Sequence, residues 1–192
     1  MIIKPRIRGF LCTTAHPAGC AAEVDEQIRI VQSAGRIEEG PRRVLIIGAS
    51  GGYGLATRVT AAFGCGADTL GVFFERPAEG NRTASPGWYK SAAFTERAEA
   101  AGLYAANFAG DAFSAATKER VIEEIRSHVG QVDMVVYSLA AGARTLPDGS
   151  LARSALKPLG EAFSGTTIDL ITGDMRELSL EPAAPEEVAN TG

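Results

Sequence analysis

At 192 residues the chain is long enough for one domain with a sizeable core, and its 45% apolar and 22% charged residues are ordinary for a soluble globular protein. A net charge of −4 and a pI near 5.3 exclude a broad basic face, and with it nucleic acid as a partner. No apolar run approaches the roughly 18 residues of a membrane span, and Lys4, Arg6 and Arg8 interrupt what would be the apolar centre of a signal peptide, so a cytoplasmic protein is expected.

Met1 to Thr14 mixes short apolar pairs with those three cations and suits an extended arm or an edge strand. Cys12, Cys20 and Cys65 make an odd count without a secretion signal, which argues for reduced thiols. Cys12, His16 and Cys20 are spaced C-x3-H-x3-C. Pro17 keeps them off one helix face and no fourth ligand is evident, so no metal is assigned. Pro17 suits the first turn of a helix. Val24, Ile28, Val31 and Ala34 then recur at helical spacing, and Gly35 is its stop. Residues 1–40 thus read as an N-terminal arm and helix. Gly40-Pro41 links them to a core spanning 41–140.

That core opens with Val44 to Ile47, a β-branched run that reads as a strand. Gly48-Ala49-Ser50-Gly51-Gly52-Tyr53-Gly54 follows as a tight turn, and Leu55 to Phe63 as a helix. Strand, glycine turn and helix together form an anion cradle. Glycine lets the backbone approach a ligand closely. The first helical N–H groups have no partner inside the helix, and the dipole adds about half a positive charge there. A second apolar run, Leu70 to Phe74, ends at Glu75. That is somewhat more than the roughly 20 residues past the glycines at which an acid meets the adenosine ribose hydroxyls. A 2′-phosphate would meet this carboxylate as a like charge, so the acid favours NADH. Arg76 is the opposing signal, since an arginine there can receive a 2′-phosphate.

Arg76 to Gly87 reads as a loop. Ser85-Pro86 starts an alanine-rich helix running to about Ala101, with Trp88 and Tyr89 packing it down and Gly102 ending it. Leu103 to Phe108 is a third strand, leading to Gly110-Asp111-Ala112. Ser114 can cap the next helix, whose apolar stripe is Val121, Ile122, Ile125 and Val129. Val132 to Leu139 is a fourth strand, apolar on both faces, which suits a parallel sheet covered on each side. The fold class is α/β: a Rossmann-like doubly wound parallel sheet with helices on both faces, incomplete at the C-terminus, its fourth strand at or near an apolar edge. Ligands in such sheets bind at the carboxyl ends of the strands. The residues falling there are Gly48, Ala49, Ser50, Gly51, Gly52, Tyr53, Phe74, Glu75, Asp111, Ala112, Leu139 and Ala140. Asp111 could accept from an adenine amine or cap the helix after it. Tyr137 and Ser138 read as packing residues.

Residues 141–192 are loop-rich. Arg144 to Ser150, with Pro147 and Gly149, is a loop, and Ser154 to Ser164 carries Pro158 and Gly160. Thr166 to Ile171 suits one short strand, and Glu177 to Glu187 is acidic with two prolines. Pro185-Glu-Glu-Val looks like the opening turn of a helix, leading toward a missing substrate and catalytic part.

Longer motifs run through the whole chain: MIIKPRIRGF-x-C-x-T-x-HP-x-GC, GAS-x-GYGLA-x-R, GVFFE-x-P, GWY-x-SAAF, GDAFS, VVYSLA and RSALKP-x-GE. In these the chain resembles the FabV-type trans-2-enoyl reductases. The resemblance implies an NADH-dependent enzyme that reduces the 2,3 double bond of enoyl-ACP or enoyl-CoA in bacterial fatty-acid synthesis. It implies diphosphate binding at Gly48 to Tyr53, ribose contacts at Phe74 and Glu75, and dinucleotide contacts at Asp111-Ala112 and Leu139-Ala140. Ala141-Gly142-Ala143-Arg144 departs from the family's Pro and further Arg after YSLA. The family's catalytic Tyr, and a Lys after eight intervening residues, are not found. Nine positions beyond Tyr53, Tyr89, Tyr104 and Tyr137 stand Ala62, Ala98, Phe113 and Leu146. The expectation is the NADH-binding portion of a longer reductase, with no catalytic residue of its own and no turnover alone. The alternative is a non-catalytic dinucleotide-binding module. A methyltransferase is remote, because its glycine turn binds no diphosphate.

Overall fold

The computed structural model describes every residue except Met1, Gly9, Phe10, Pro147 and Gly192, so the readings at those positions lie outside the described residues. The chain divides into two compact units, Met1–Ala140 and Ala141–Gly192.

In the first unit the arm forms a small antiparallel pair, β1 (Ile7–Arg8) and β2 (Leu11–Cys12). Helix α1 (Pro17–Ser33) follows, with proline in its first turn and the Gly19 N–H donating to His16 Nδ1 at 3.4 Å. The C-x3-H-x3-C residues thus have separate tasks. Cys12 is exposed beside Thr14, His16 caps α1, and Cys20 is buried beneath it.

Four parallel strands make the sheet: β3 (Arg43–Ile47), β4 (Asp68–Phe73), β5 (Ala105–Ala109) and β6 (Met134–Tyr137), in the order β5-β4-β3-β6. The chain winds outward from β3 to β5 and then returns to the far side of β3, so the strand order reverses between β3 and β6. Helix α2 (Gly52–Val59) connects β3 to β4 and runs on as a π-helical turn over Thr60–Gly64. Helix α3 (Pro86–Ala100) connects β4 to β5. Helix α4 (Ala115–Glu124), extended by a π-helical turn at Ile125–Val129, leads to β6.

Strand alternation assigns the layers. Val44 and Ile46 face Ala49 and Ala61 on the α2 side. Leu45 and Ile47 join Leu70, Val72, Phe108 and Val121 on the α4 side. Helix α1 forms a further layer, with Val24 and Ile28 against Leu55, Val59, Phe94 and Ala98. The α/β, Rossmann-like doubly wound sheet is therefore as expected. Two details differ. Ile122 is 45% exposed, because it sits about 100° round the helix from buried Val121, so the stripe is Val121, Ile125 and Val129. The fourth strand is an edge, as expected, but it is not covered on both faces. Val135 is 58% exposed and Met134 and Tyr137 are exposed too, since α4 lies against Leu70, Val72 and Phe108.

Helix α4 carries the cap read from the sequence, with the Thr117 N–H donating to Ser114 Oγ at 3.2 Å. Ser114→Ala should lower stability by about 1 kcal/mol, read as a lower urea midpoint at unchanged slope. An unmoved midpoint would refute the cap's contribution.

The second unit is more regular than its composition suggests. Strands β7 (Ala143–Thr145) and β8 (Leu151–Arg153) pair antiparallel, as do β9 (Phe163–Ile168) and β10 (Met175–Leu180). The β9–β10 turn is held by Asp169, whose Oδ1 accepts from Ile171 N at 2.9 Å, with Gly173 at φ +79°. Arg144 therefore lies in a strand and not in a loop, its Nε donating to the Asn190 carbonyl at 2.8 Å. Helix α5 (Pro185–Thr191) opens at Pro185 as expected.

Candidate functional site

The rim at the carboxyl ends of β3 to β6 is shaped first by the turn after β3. The N–H groups of Gly48 and Ala49 both donate to the Val72 carbonyl, at 2.8 and 3.0 Å, which ties the turn to β4. Gly48 sits at φ +94°, and a Cβ there would lie 1.9 Å from the Ser138 carbonyl oxygen. A Cβ on Gly54 would lie 2.0 Å from the Gly48 carbonyl oxygen. Two glycines thus press α2 onto the turn and the turn onto the end of β6. Gly51 and Gly52 are different: no other atom lies within 4 Å of where their Cβ would be. They border open space. Gly51 is the N-cap of α2 and provides no side-chain cap, and no acid stands in the first turn. The leading N–H groups and the positive end of the dipole are therefore available to an anion.

The second wall comes from β4. Phe74 lies just past its end and is 83% exposed, and Tyr53 on the turn is 90% exposed. Glu75 is half-buried and is joined to the turn, because Ser50 Oγ donates to Glu75 Oε1 at 2.6 Å. Arg76 is folded back on its own loop, its Nη1 donating to the Thr83 carbonyl at 3.0 Å. The loop is closed by the Ser85 N–H to the Arg76 carbonyl, 3.0 Å, and by the Arg76 N–H to Ser85 Oγ, 3.1 Å. Trp88 and Tyr89 pack, as expected. Trp88 meets Phe73 edge-on, and Tyr89 Oη accepts from the Ala84 N–H.

After β5, Asp111 Oδ1 accepts from the Phe113 N–H at 2.9 Å and holds the turn. The cap of α4 is Ser114, not Asp111. Ala112 packs into the α4-side core. After β6, the Ser138 N–H donates to the Ile47 carbonyl at 2.8 Å, Leu139 approaches Gly48, and Ala140 is exposed. The twelve residues singled out in the sequence all follow the carboxyl ends of the four parallel strands; direct contacts join the turn to Glu75 through Ser50 and to Leu139 through Gly48, while Asp111 and Ala112 make contacts within their own turn and the α4-side core. An open turn with free N–H groups beside a carboxylate fits a dinucleotide: the first suits a diphosphate, the second a pair of ribose hydroxyls.

Two contributors escaped the sequence reading. Gly87, in α3, faces Glu75: a Cβ there would lie 2.1 Å from Glu75 Oε1. Arg58, on α2, is fully buried behind the turn. Its Nε donates to Thr69 Oγ1 at 3.2 Å, Nη1 to Asn107 Oδ1 at 2.7 Å and Nη2 to the Ala106 carbonyl at 2.8 Å, and it stacks 4.4 Å from the Phe94 ring centroid. The conserving space is Gly71, where a Cβ would strike Arg58 Nη1 at 2.3 Å and Ala49 Cβ at 2.9 Å. Arg58 thereby backs the rim at Ala49. The R of GYGLA-x-R and the G of GWY were the available signals, but nothing in their spacing says what they touch.

Known proteins resemble this chain along its whole length. Residues 2–80 match a family model described as the NAD(P)H binding domain of trans-2-enoyl-CoA reductase, and residues 82–192 match the trans-2-enoyl-CoA reductase catalytic region. The chain is 56% identical over 192 residues to an enoyl-[acyl-carrier-protein] reductase [NADH] of Opitutus terrae, covering all of this chain and 49% of that protein. It is 55% identical to the one from Edwardsiella ictaluri, covering all of this chain and 48% of that protein. Among solved structures it resembles Clostridium acetobutulicum trans-2-enoyl-CoA reductase in complex with NADH (TM-score 0.85, 40% identity, all of this chain and 48% of that one). It also resembles the Treponema denticola enzyme in complex with NAD (TM-score 0.84, 46% identity, all of this chain and 49% of that one). The chain spans about half the length of the curated relatives it matches.

Proposed function

The chain belongs to the trans-2-enoyl-CoA reductase family, and from this we propose that it is the NADH-binding portion of a cytoplasmic reductase acting on enoyl-ACP or enoyl-CoA in fatty-acid synthesis. The observation that carries the reading is Glu75 standing, hydrogen-bonded to Ser50, beside the uncapped start of α2. The turn Gly48, Ala49, Ser50, Gly51, Gly52 and Tyr53 receives the diphosphate: Gly48 and Ala49, whose N–H groups are held by the Val72 carbonyl, fix the turn, and the backbone N–H groups that follow them face the anion. The Glu75 carboxylate accepts from the adenosine ribose hydroxyls and repels a 2′-phosphate. Phe74, Asp111, Ala112, Leu139 and Ala140 line the rest of the rim. The dinucleotide, when bound, supplies the hydride for C3 of the enoyl thioester. What the chain contributes is binding and orientation. None of its tyrosines is followed by a lysine nine positions on, so no proton donor is assigned. Among the described residues, no helix is long and apolar enough to cross a membrane.

Titration calorimetry with NADH and NADPH, on the unaltered chain and on Glu75→Ala, tests this. NADH should bind in preference to NADPH. Glu75→Ala should weaken NADH by about tenfold, the scale of a hydrogen bond to a charged acceptor, and narrow the preference. Absence of NADH binding, or equal affinity in the variant, would overturn the reading.

A further inference from the structure

We propose that Gly87 is a positioning residue that sets the cofactor preference of this site, by leaving the space in which Ser50 holds the Glu75 carboxylate. The inference rests on the NADH reading above and adds a residue to it.

Gly87 is the second residue of α3 and is buried. A Cβ on it would lie 2.1 Å from Glu75 Oε1, 2.5 Å from Glu75 Cδ and 2.8 Å from Ser50 Cβ. The oxygen it would strike is the one that accepts from Ser50 Oγ at 2.6 Å. One carboxylate oxygen is thus bracketed by the glycine turn on one side and the start of α3 on the other. Conformation does not require glycine here. Gly87 is absent from the positive-φ glycines, and alanine is the better helix former. What glycine supplies is room.

The neighbours decide what would yield to a side chain. The start of α3 is pinned by Pro86, by the two-way Ser85–Arg76 clasp, one bond to the Arg76 carbonyl and one to Ser85 Oγ, and by Trp88 on Phe73. Ser50 Cβ is anchored in the turn. The free end of the Glu75 side chain is the part that can rotate away, and the Ser50 contact at 2.8 Å is met by a small shift of the turn. A residue larger than glycine therefore swings the carboxylate off Ser50. The ribose loses its acceptor, while a 2′-phosphate loses the charge that opposes it.

The test is calorimetric titration of NADH and NADPH into the full chain as the unaltered protein, Gly87→Ala, Glu75→Gln and the double variant. Gly87→Ala should weaken NADH about tenfold, leave NADPH no weaker than in the unaltered protein, and lower the melting temperature by only a few degrees, as the Ser50 Cβ contact at 2.8 Å is relieved. The double variant should bind NADH no more weakly than Glu75→Gln alone, because both changes remove one interaction. Unchanged NADH affinity in Gly87→Ala overturns the inference, as do losses that multiply in the double variant. So does failure of Gly87→Ala to fold, since that would mean the backbone and not the Glu75 side chain gives way. No NADH binding by the unaltered chain, or none of the expected loss in Glu75→Gln, would instead overturn the NADH reading on which the inference rests.

Discussion

Arg58→Ala should cost this chain about 3–5 kcal/mol of stability, a large part of the 5–15 kcal/mol that holds a typical domain together. Burial pulls the Arg58 guanidinium down to about 9, so it still carries its proton at neutral pH. Among the described residues no carboxylate pairs with it; its partners are Thr69, Asn107, the Ala106 carbonyl and the Phe94 ring. Burying that charge is expensive in itself. Removing it is nonetheless destabilising, because the buried Thr69 hydroxyl loses its donor, at about 1–3 kcal/mol when left unsatisfied, and the half-buried Ala106 carbonyl and the more exposed Asn107 amide oxygen lose theirs at smaller cost. The emptied volume adds a cavity term. Arg58→Met should lose less, since it fills the space while leaving the same acceptors unmet. Urea unfolding at pH 7 reads both as midpoints. A loss below about 1 kcal/mol for Arg58→Ala would show that water or repacking satisfies those acceptors.

The second large effect has a sign that helix propensity alone gets wrong. Gly54 lies inside α2, where alanine is favoured over glycine by about 1 kcal/mol. A Cβ at Gly54, however, would lie 2.0 Å from the Gly48 carbonyl oxygen and 2.9 Å from its carbon. Those are backbone atoms of a turn tied to β4 through Val72, so they cannot swing aside as a side chain would. Overpacking of this kind costs about 1–3 kcal/mol or more, and here it outweighs the propensity gain. Gly54→Ala should therefore melt lower than the unaltered protein and lose NADH binding, because opening the turn misaims the N–H groups of Gly52 and Tyr53. A Gly54→Ala chain that melts higher and still binds NADH would refute the close approach of α2 to the turn.

These two positions also mark how far the residues alone could be read. The glycine turn was legible because its chemistry is local: a β-branched run, residues that can take φ +94° or approach backbone closely, then a helix. Glu75 was legible because strand length and the parallel sheet put the tip of the second strand beside that turn. Even the stop of β4 at Phe73, which leaves Phe74 exposed, changed a boundary and not the site. Arg58 reads in the sequence as one more cation on a helix. It is buried only because β4 and β5 bring Thr69, Asn107 and the Ala106 carbonyl alongside it. Gly87 reads as the end of a loop, and its need for emptiness arises from Glu75 and Ser50, which reach it through space. Ile122 looked as apolar as Val121 until the direction of the sheet chose between them. Beyond residue 140 the strands β9 and β10 pair across a turn held by Asp169 and Gly173, and the exposed run along β10 gives no alternation that would announce the register. Periodicity, capping and turn chemistry are encoded by near neighbours, so the α/β class and the cofactor follow from the chain read in order. Which side chain loses its water, and which glycine must stay bare, depends on segments that meet only when the sheet has assembled.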